Sequence, residues 1–286
     1  MKCLKQSVRQ AMKEFVTLLV PVDFSPSAKA AAHYAAQLAI SMKAKVILLS
    51  VIELETSTTV NRNWKKLEKQ MMETAVRDLD KLQNEVKAKT PGVEIKYDLV
   101  AGVPMHEVID EYARTNKVNL ILMGTRGASG LKRILHGSNT ATLIAHSTTP
   151  VIAIPAKAVF KSIKKIVYAS DLKNVKSEVK TLSMVAKLFH AEIAVLHAGK
   201  PQSKTTAHQK VAPELTDKSL GTITYHQVSN DDIVDAISKF VDESKADMLV
   251  MFTHELDFYE KLFDTSITRS MAFQSRVPLL VYNRGK

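Results

Sequence analysis

Short apolar runs alternate with longer amphipathic segments along almost the whole chain, and this alternation restricts the fold more than any other feature. In the first part of the chain, strands are predicted at Val16–Val22, Lys45–Ile52, Glu94–Val100, Asn119–Met123 and Val151–Ile154. Helices are predicted between them at Ser27–Met42, Val60–Lys89, Pro104–Thr115 and Ser138–His146. Strands that alternate with helices in this way form βαβ units around a parallel sheet. The pattern therefore predicts an α/β fold.

The second part of the chain repeats this order. Strands are predicted at Lys165–Ala169, Glu192–His197, Thr222–Val228, Met248–Phe252 and Leu279–Tyr282, and helices at Val175–Phe189, Ala207–Leu220, Asp231–Ser244 and Phe258–Phe273. The segment Val20-Pro21-Val22-Asp23 aligns with Tyr168-Ala169-Ser170-Asp171. The chain is thus predicted to be a tandem duplication with domains at 1–157 and 158–286, which we call the first half and the second half.

Four of the nine glycines in the chain lie in the segment 124–137, directly after a predicted buried strand and before a predicted helix. Glycine lets the backbone approach a ligand closely. The free N–H groups at a helix start favour an anion. The segment therefore predicts a phosphate site, although it lacks the Gly-Lys-Ser/Thr ending of a P-loop and the glycine spacing of a dinucleotide fold.

The glycine segment has the form Gly124-x2-Gly127-x9-Gly137-Ser138, and Pro21-Val22-Asp23-Phe24-Ser25 follows the first strand. Together these motifs resemble those of the universal stress protein family. The resemblance covers nearly all of 15–156 and, as a degenerate copy, the second half. It implies two tandem doubly wound five-stranded parallel sheets of order 3-2-1-4-5, packed through their fifth strands as a pseudo-twofold intrachain dimer, with dimerisation of the whole chain as a further option.

The resemblance also implies an ATP site, with Mg²⁺ as an accompanying ion, at the sheet edge where the strand order changes direction. Asp23 would contact the adenosine, and Val51 would contact adenine through its backbone. Pro21 and Met123 would line the base pocket. The ribose and phosphates would be held by Gly124, Gly127, Gly137, Ser138 and Asn139, with Arg126 within reach of the triphosphate. Asp23 as a simple turn residue and Ser138 as a simple helix cap are the alternatives left open.

The second half has lost the glycines of this segment. Phe252 and Glu255 stand where the first half has Gly124 and Gly127, and Thr265 stands in place of Gly137. A bulky ring and a negative charge oppose phosphate binding, so we expect one nucleotide site per chain. The alternative is that the second half binds a different ligand through His254 or Ser266.

Composition and charge narrow the classes of function further. The net charge is +11, and 22 basic against 14 acidic residues give the first half +8 of it. Nucleic-acid binding is not favoured, because the basic residues are scattered and only seven Tyr and one Trp could stack bases. The single cysteine, Cys3, excludes an internal disulfide. No signal peptide or membrane span is evident, which favours a cytoplasmic protein.

Three classes of function remain compatible with the sequence. The first is an ATP-binding stress or regulatory protein, supported by the glycine segment and Asp23. The second is a slow ATPase or phosphotransferase, which lacks a P-loop lysine and a carboxylate pair for Mg²⁺. The third is a ligand-free scaffold or interaction protein, which suits the second half better than the first.

Overall fold

The computed structural model describes residues 16–53, 62–125, 139–199, 220–254 and 267–284. Within these ranges the chain forms ten strands and seven helices, which alternate for most of its length. It divides into two compact units, Met1–Met123 and Gly124–Lys286, which we call the first unit and the second unit. The division differs from the sequence-predicted boundary at 157/158, because the fifth strand pairs with the last strand of the chain. The boundary at 157/158 stays a prediction.

The first unit is a parallel sheet of strand order β3-β2-β1-β4 with three described helices. Thr17 aligns with Lys45 on one side of β1, and Leu18 aligns with Leu120 on the other. The elements are β1 (Thr17–Pro21), α1 (Pro26–Met42), β2 (Lys45–Ile52), α2 (Arg62–Lys89), β3 (Glu94–Ala101), α3 (Met105–Thr115) and β4 (Leu120–Thr125), the last of which crosses into the second unit.

The central strand β1 is buried along its whole length, as expected for a parallel sheet with helices on both faces. Leu18, Leu19 and Val20 are 0% exposed, and burial of each side chain contributes about 1.5–3 kcal/mol. The next element, α1, starts where the Ser25 hydroxyl accepts the Ala28 N–H at 3.3 Å. It ends at Lys43, whose φ of 53° is left-handed. These local signals place the β1–α1 turn at the carboxyl edge of the sheet.

The second unit has the strand order β5-β10-β9-β6-β7-β8. Its described elements are α4 (Asn139–His146), β5 (Val151–Pro155), β6 (Lys165–Ala169), α5 (Val175–Phe189), β7 (Glu192–Gly199), β8 (Ile223–Ser229), α6 (Ile233–Glu243), β9 (Met248–His254), α7 (Ile267–Gln274) and β10 (Leu279–Arg284). The strands β5 and β10 are antiparallel, with Leu279 opposite Ala153, and the other neighbours are parallel. This is the pairing that the sequence predicts for the fifth strands of the two halves.

Two strand ends differ from the sequence prediction in a way that concerns the site. The strand β4 runs to Thr125, so Gly124 lies inside the strand and does not follow it. The Thr125 hydroxyl extends the pairing of β4 with its neighbour β5 by donating to the Ile154 carbonyl at 3.3 Å. The strand β9 likewise runs to His254, in register with Arg284. The predicted helix at 207–220 lies almost wholly outside the described residues, and of the predicted helix at 258–273 only the part in α7 is described.

Candidate functional site

Four of the residues that the sequence assigns to the site lie at the carboxyl edge of the first unit. Pro21 ends β1, is buried, and aligns with Leu49 of β2, two residues before Val51. Leu19 of β1 aligns with Ile121 of β4. The same register, continued by two residues, places Pro21 beside Met123, which is 7% exposed. Asp23 follows the end of β1 by two residues. Because β1 lies between β2 and β4, this edge is the point where the strand order changes direction, and ligands of open α/β sheets bind at such points.

Asp23 forms a tight turn between β1 and α1. Its Oδ1 accepts the Ser25 N–H at 3.0 Å, and Phe24 between them has a left-handed φ of 60°. The turn function that the sequence leaves open for Asp23 is therefore present. The side chain is exposed, and within the described part of the chain Oδ2 has no hydrogen-bond partner. A ligand function for Oδ2 is thus compatible with the turn.

In the second unit, a hydrogen bond joins the first residue of the glycine segment to the helix α4 that follows the segment. The Thr140 hydroxyl, in the first turn of α4, donates to the Gly124 carbonyl at 3.2 Å. Sequence reasoning did not select Thr140. The duplication of the sequence could have pointed to Thr140, because Thr125 and Thr140 correspond to Thr253 and Thr268. All four threonines are buried. The Thr253 hydroxyl donates to the Tyr282 carbonyl at 3.5 Å, as Thr125 does to Ile154.

The remaining predicted site residues are described in part or not at all. Asn139 begins α4, but its side chain lies outside the described residues. Arg126, Gly127, Gly137 and Ser138 lie outside the described residues altogether. Their functions stay predictions.

The second half repeats the aspartate turn with one difference. Asp171 Oδ1 accepts the Lys173 N–H at 3.0 Å, and Leu172 has a φ of 64°. However, the ammonium group of Lys173 lies 3.6 Å from Asp171 Oδ2. The oxygen that is available in the first half is therefore engaged in the second.

Behind Asp171 lies a buried chain of hydrogen bonds that sequence reasoning missed. The Leu172 N–H donates to the Ser170 hydroxyl at 3.1 Å, and that hydroxyl donates to the Tyr168 hydroxyl at 2.9 Å. Tyr168 in turn donates to Glu178 of α5, whose side chain is 0% exposed. His197 on β7 donates from Nδ1 to the Ser170 carbonyl at 3.0 Å. The network ties α5 and β7 to the turn.

Apolar residues fill the corresponding positions of the first half. Val20 and Val22 align with Tyr168 and Ser170. When the two helices are aligned at their C-cap residues, Lys43 and His190, Ala31 corresponds to Glu178. Ala31 is also 0% exposed. A polar network in the second half thus replaces an apolar contact between strand and helix.

An aromatic cluster occupies the same edge of the second half. The Phe252 ring meets Tyr168 edge-on, with centroids 5.5 Å apart, and stacks on Tyr282 with centroids 4.9 Å apart. Such pairs stabilise a fold by about 0.5–1.5 kcal/mol beyond the area they bury. The position that is glycine in the first half therefore holds a packed ring in the second.

No group of three or more His, Cys, Asp or Glu side chains is arranged to hold a metal ion in the ranges that the structure describes. Among the described helices, none is both long enough and apolar enough to cross a membrane.

The folds of the two units and the duplicated aspartate turns define a class, the tandem doubly wound α/β proteins with five strands per repeat. The model of the Universal stress protein family matches residues 14–155 and again 162–283. The chain therefore belongs to the universal stress protein family, whose members serve in the response to stress, and carries two copies of its domain.

Relatives with a single copy match about half of the chain. The universal stress protein MJ0531 of Methanocaldococcus jannaschii is 28% identical over 153 residues, which are 53% of this chain and 88% of the relative. The universal stress protein YxiE of Bacillus subtilis is 28% identical over 153 residues, which are 49% of this chain and 99% of the relative.

A solved structure matches the chain over nearly its whole length. A universal stress protein from Archaeoglobus fulgidus has a TM-score of 0.72 at 20% identity, covering 94% of this chain and 97% of its own. At this level of identity the likeness concerns the fold alone.

Proposed function

We propose that the first half binds ATP and that occupancy of this one site is the signal of a regulatory stress-response protein. Asp23 would bind the adenosine part, and Val51 would bind adenine through its backbone. Pro21 and Met123 would form the apolar walls of the base pocket. The glycine segment would hold the ribose and phosphates, and Mg²⁺ would accompany the triphosphate.

The main support for this function is one combination of residues. The glycine motif 124–138 is complete in the sequence, and Asp23 at the carboxyl edge of β1 keeps an oxygen that no described residue bonds. A carboxylate oxygen accepts hydrogen bonds from hydroxyl groups such as those of a ribose. The net charge of +8 in the first half would also attract a polyphosphate.

The sharpest test substitutes the two equivalent aspartates. Asp23→Asn keeps the Oδ1 acceptor that holds the turn, but removes the negative charge. We expect this variant to bind ATP about tenfold more weakly or worse, since a hydrogen bond to a charged group contributes about 1.5–3 kcal/mol. Asp171→Asn makes the same change in the second half and should leave ATP affinity within about twofold. Titration calorimetry of the full chain measures both.

Other nucleotides and hydrolysis separate the alternatives. Nucleotide retained through purification, followed by titration with ATP, ADP and AMP, identifies the preferred ligand. Turnover of ATP that Asp23→Asn abolishes would favour the slow ATPase. Absence of both retention and titration heat would leave the ligand-free scaffold, and equal losses in the two aspartate variants would contradict a site in the first half.

A further inference from the structure

A surface groove of about 410 Å³ runs along α3 beside the edge strand β3 in the first unit. Three valines, Val100, Val103 and Val108, form its apolar floor and end wall, and Val103 is 49% exposed. Glu107 and Glu111 line it along one turn of α3, and Thr115 and Asn116 close the end where α3 stops. None of these residues belongs to the proposed nucleotide site.

The groove is acidic on a chain that is strongly basic. Glu111 is held by Arg114, with 2.6 Å between Oε1 and the guanidinium, which lowers the pKa of Glu111. The carboxylate of Glu107 has no hydrogen-bond or ion-pair partner among the described residues. Asp98 lies next to the groove and accepts the Tyr112 hydroxyl at 2.9 Å. An occupant with apolar side chains and basic groups would satisfy this surface.

The segment 1–15 has that chemistry. Leu4, Val8 and Met12 recur every four residues in the sequence, a spacing that would put them on one side if the segment formed a helix. Lys5, Arg9 and Lys13 recur at the same spacing on the adjacent side. With Lys2 and Glu14, the segment has four basic residues and one acidic residue, hence a net charge of +3. Helices of this kind bind to apolar grooves through anchors at such spacings.

The segment is also tethered at one end of the groove. The Thr17 N–H donates to Asn119 Oδ1 at 2.8 Å, and the Asn119 N–H donates to the Thr17 carbonyl at 2.9 Å. Asn116, which lines the end of the groove, lies three residues before Asn119. The 11 residues of α3 span about 16 Å, and residues 4–15 would span about 18 Å as a helix. A short tether of this kind raises the local concentration of the segment at the groove.

We propose that the segment 1–15 of the same chain docks in this groove. Leu4, Val8 and Met12 would cover the valine floor, and Arg9 would face Glu107. Because the tether lies at the Asn116 end, Cys3 would lie towards the Val103 end. The groove is therefore an intramolecular docking surface for a basic, apolar segment, distinct from the proposed nucleotide site.

The test uses Cys3, the only cysteine of the chain, as a native labelling position. A nitroxide attached to Cys3 of the full chain broadens the amide NMR signals of nearby residues. We expect the signals of 103–111 to lose most of their intensity relative to the reduced, diamagnetic label. Signals of 80–89 in α2 serve as the reference for a remote helix and should keep theirs. Arg9→Glu should restore the signals of 103–111, and Glu107→Lys combined with Arg9→Glu should broaden them again.

Three outcomes would overturn the inference. Signals of 103–111 that remain as strong as those of 80–89 would place the segment elsewhere. Broadening that appears in a mixture of labelled, unenriched chain and unlabelled, isotope-enriched chain would assign the groove to the segment of a second copy. Broadening that persists in Arg9→Glu and is unchanged by Glu107→Lys would exclude recognition by charge.

Discussion

At the scale of single residues, the buried carboxyl group of Glu178 distinguishes the second half from the first. It replaces the alanine at position 31 in the core between a strand and a helix, and it is 0% exposed. A buried carboxyl group destabilises the fold unless other groups hydrogen-bond to it. The hydroxyl of Tyr168 supplies that bond, and Ser170 supports Tyr168 in turn. The stability of this part of the fold therefore depends on Tyr168 and Ser170 as well as on Glu178.

Tyr168→Phe tests this dependence. The substitution leaves Glu178 without its tyrosine bond, and we expect the free energy of unfolding to fall by about 1.5–3 kcal/mol. Tyr112→Phe is the matched control, since Tyr112 donates to Asp98 at 2.9 Å, but Asp98 is exposed and water replaces the lost bond. Its cost should be about 0.5–1.5 kcal/mol. Urea denaturation followed by circular dichroism measures the free energy of unfolding of both variants. Equal losses in the two variants would contradict the dependence of buried Glu178 on Tyr168.

The sequence predicted some of these residues and missed others for physical reasons. Asp23 and Asp171 were found because each follows an apolar strand in aligned segments, and the structure gives both the same turn. Glu178 was missed because a glutamate in an amphipathic helix is usually assigned to the exposed face. Its spacing in the sequence could have revealed it. Glu178 lies on the same side of α5 as Val175, Val179 and Leu182, which form the buried stripe of that helix.

At the scale of elements, the bounds of strands and helices were predicted well where local chemistry decides them. The helix α1 ends at Met42 as predicted, where Lys43 takes up a left-handed conformation. The ends of β4 and β9 were placed too early because they depend on partners distant in sequence. Thr125 bonds Ile154, and His254 aligns with Arg284. The groove beside α3 was not predicted, since it depends on how α3 packs against β3.

The contact of β8 with α6 is the element-scale feature that should respond to pH. His226 of β8 packs against Phe240 of α6 at 4.9 Å between ring centroids. Burial, and to a lesser degree the charge of Lys165, lowers the pKa of His226 below its ordinary value of 6.5. The unfolded chain then binds a proton more tightly than the folded chain. Stability therefore falls as the pH decreases from about 6.5 through the folded pKa.

His226→Gln should flatten this part of the pH profile. Glutamine keeps a hydrogen-bonding side chain beside Thr224, whose hydroxyl lies 2.9 Å from His226 Nε2, but it does not titrate. We expect the drop in Tm between pH 7.5 and pH 5.5 to be smaller in the variant than in the wild type, as measured by scanning calorimetry. Lys165→Met should reduce the drop by less, because burial is the larger cause of the lowered pKa. A drop that is identical in all three proteins would contradict the assignment to His226.

At the scale of the whole molecule, the duplication has kept the scaffold and changed the chemistry at the strand ends. Both halves retain the aspartate turn, the left-handed residue after it, and a buried threonine that bonds the last strand of the half, Thr125 in the first and Thr253 in the second. Among the residues that the structure describes, only those of the second half form the buried network and the packed rings. The antiparallel pairing of β5 and β10 also removes two edges that would otherwise be open to other chains. The scaffold and the chemistry at the strand ends have thus diverged separately.

This separation predicts a stoichiometry of one ATP per chain. Gly124 and Phe252 hold equivalent positions, 128 residues apart, so one substitution in each half tests the prediction. Gly124→Val puts a branched side chain where, in the proposed site, the backbone would approach the ligand, and we expect it to abolish the single binding event in titration calorimetry. Phe252→Ala removes the ring that packs on Tyr168 and Tyr282, and we expect the free energy of unfolding to fall by about 3–5 kcal/mol. The number of ATP molecules bound per chain should stay at one in this variant. A stoichiometry of two in the wild type, or a second site created by Phe252→Ala alone, would mean that the second half still holds a nucleotide cradle.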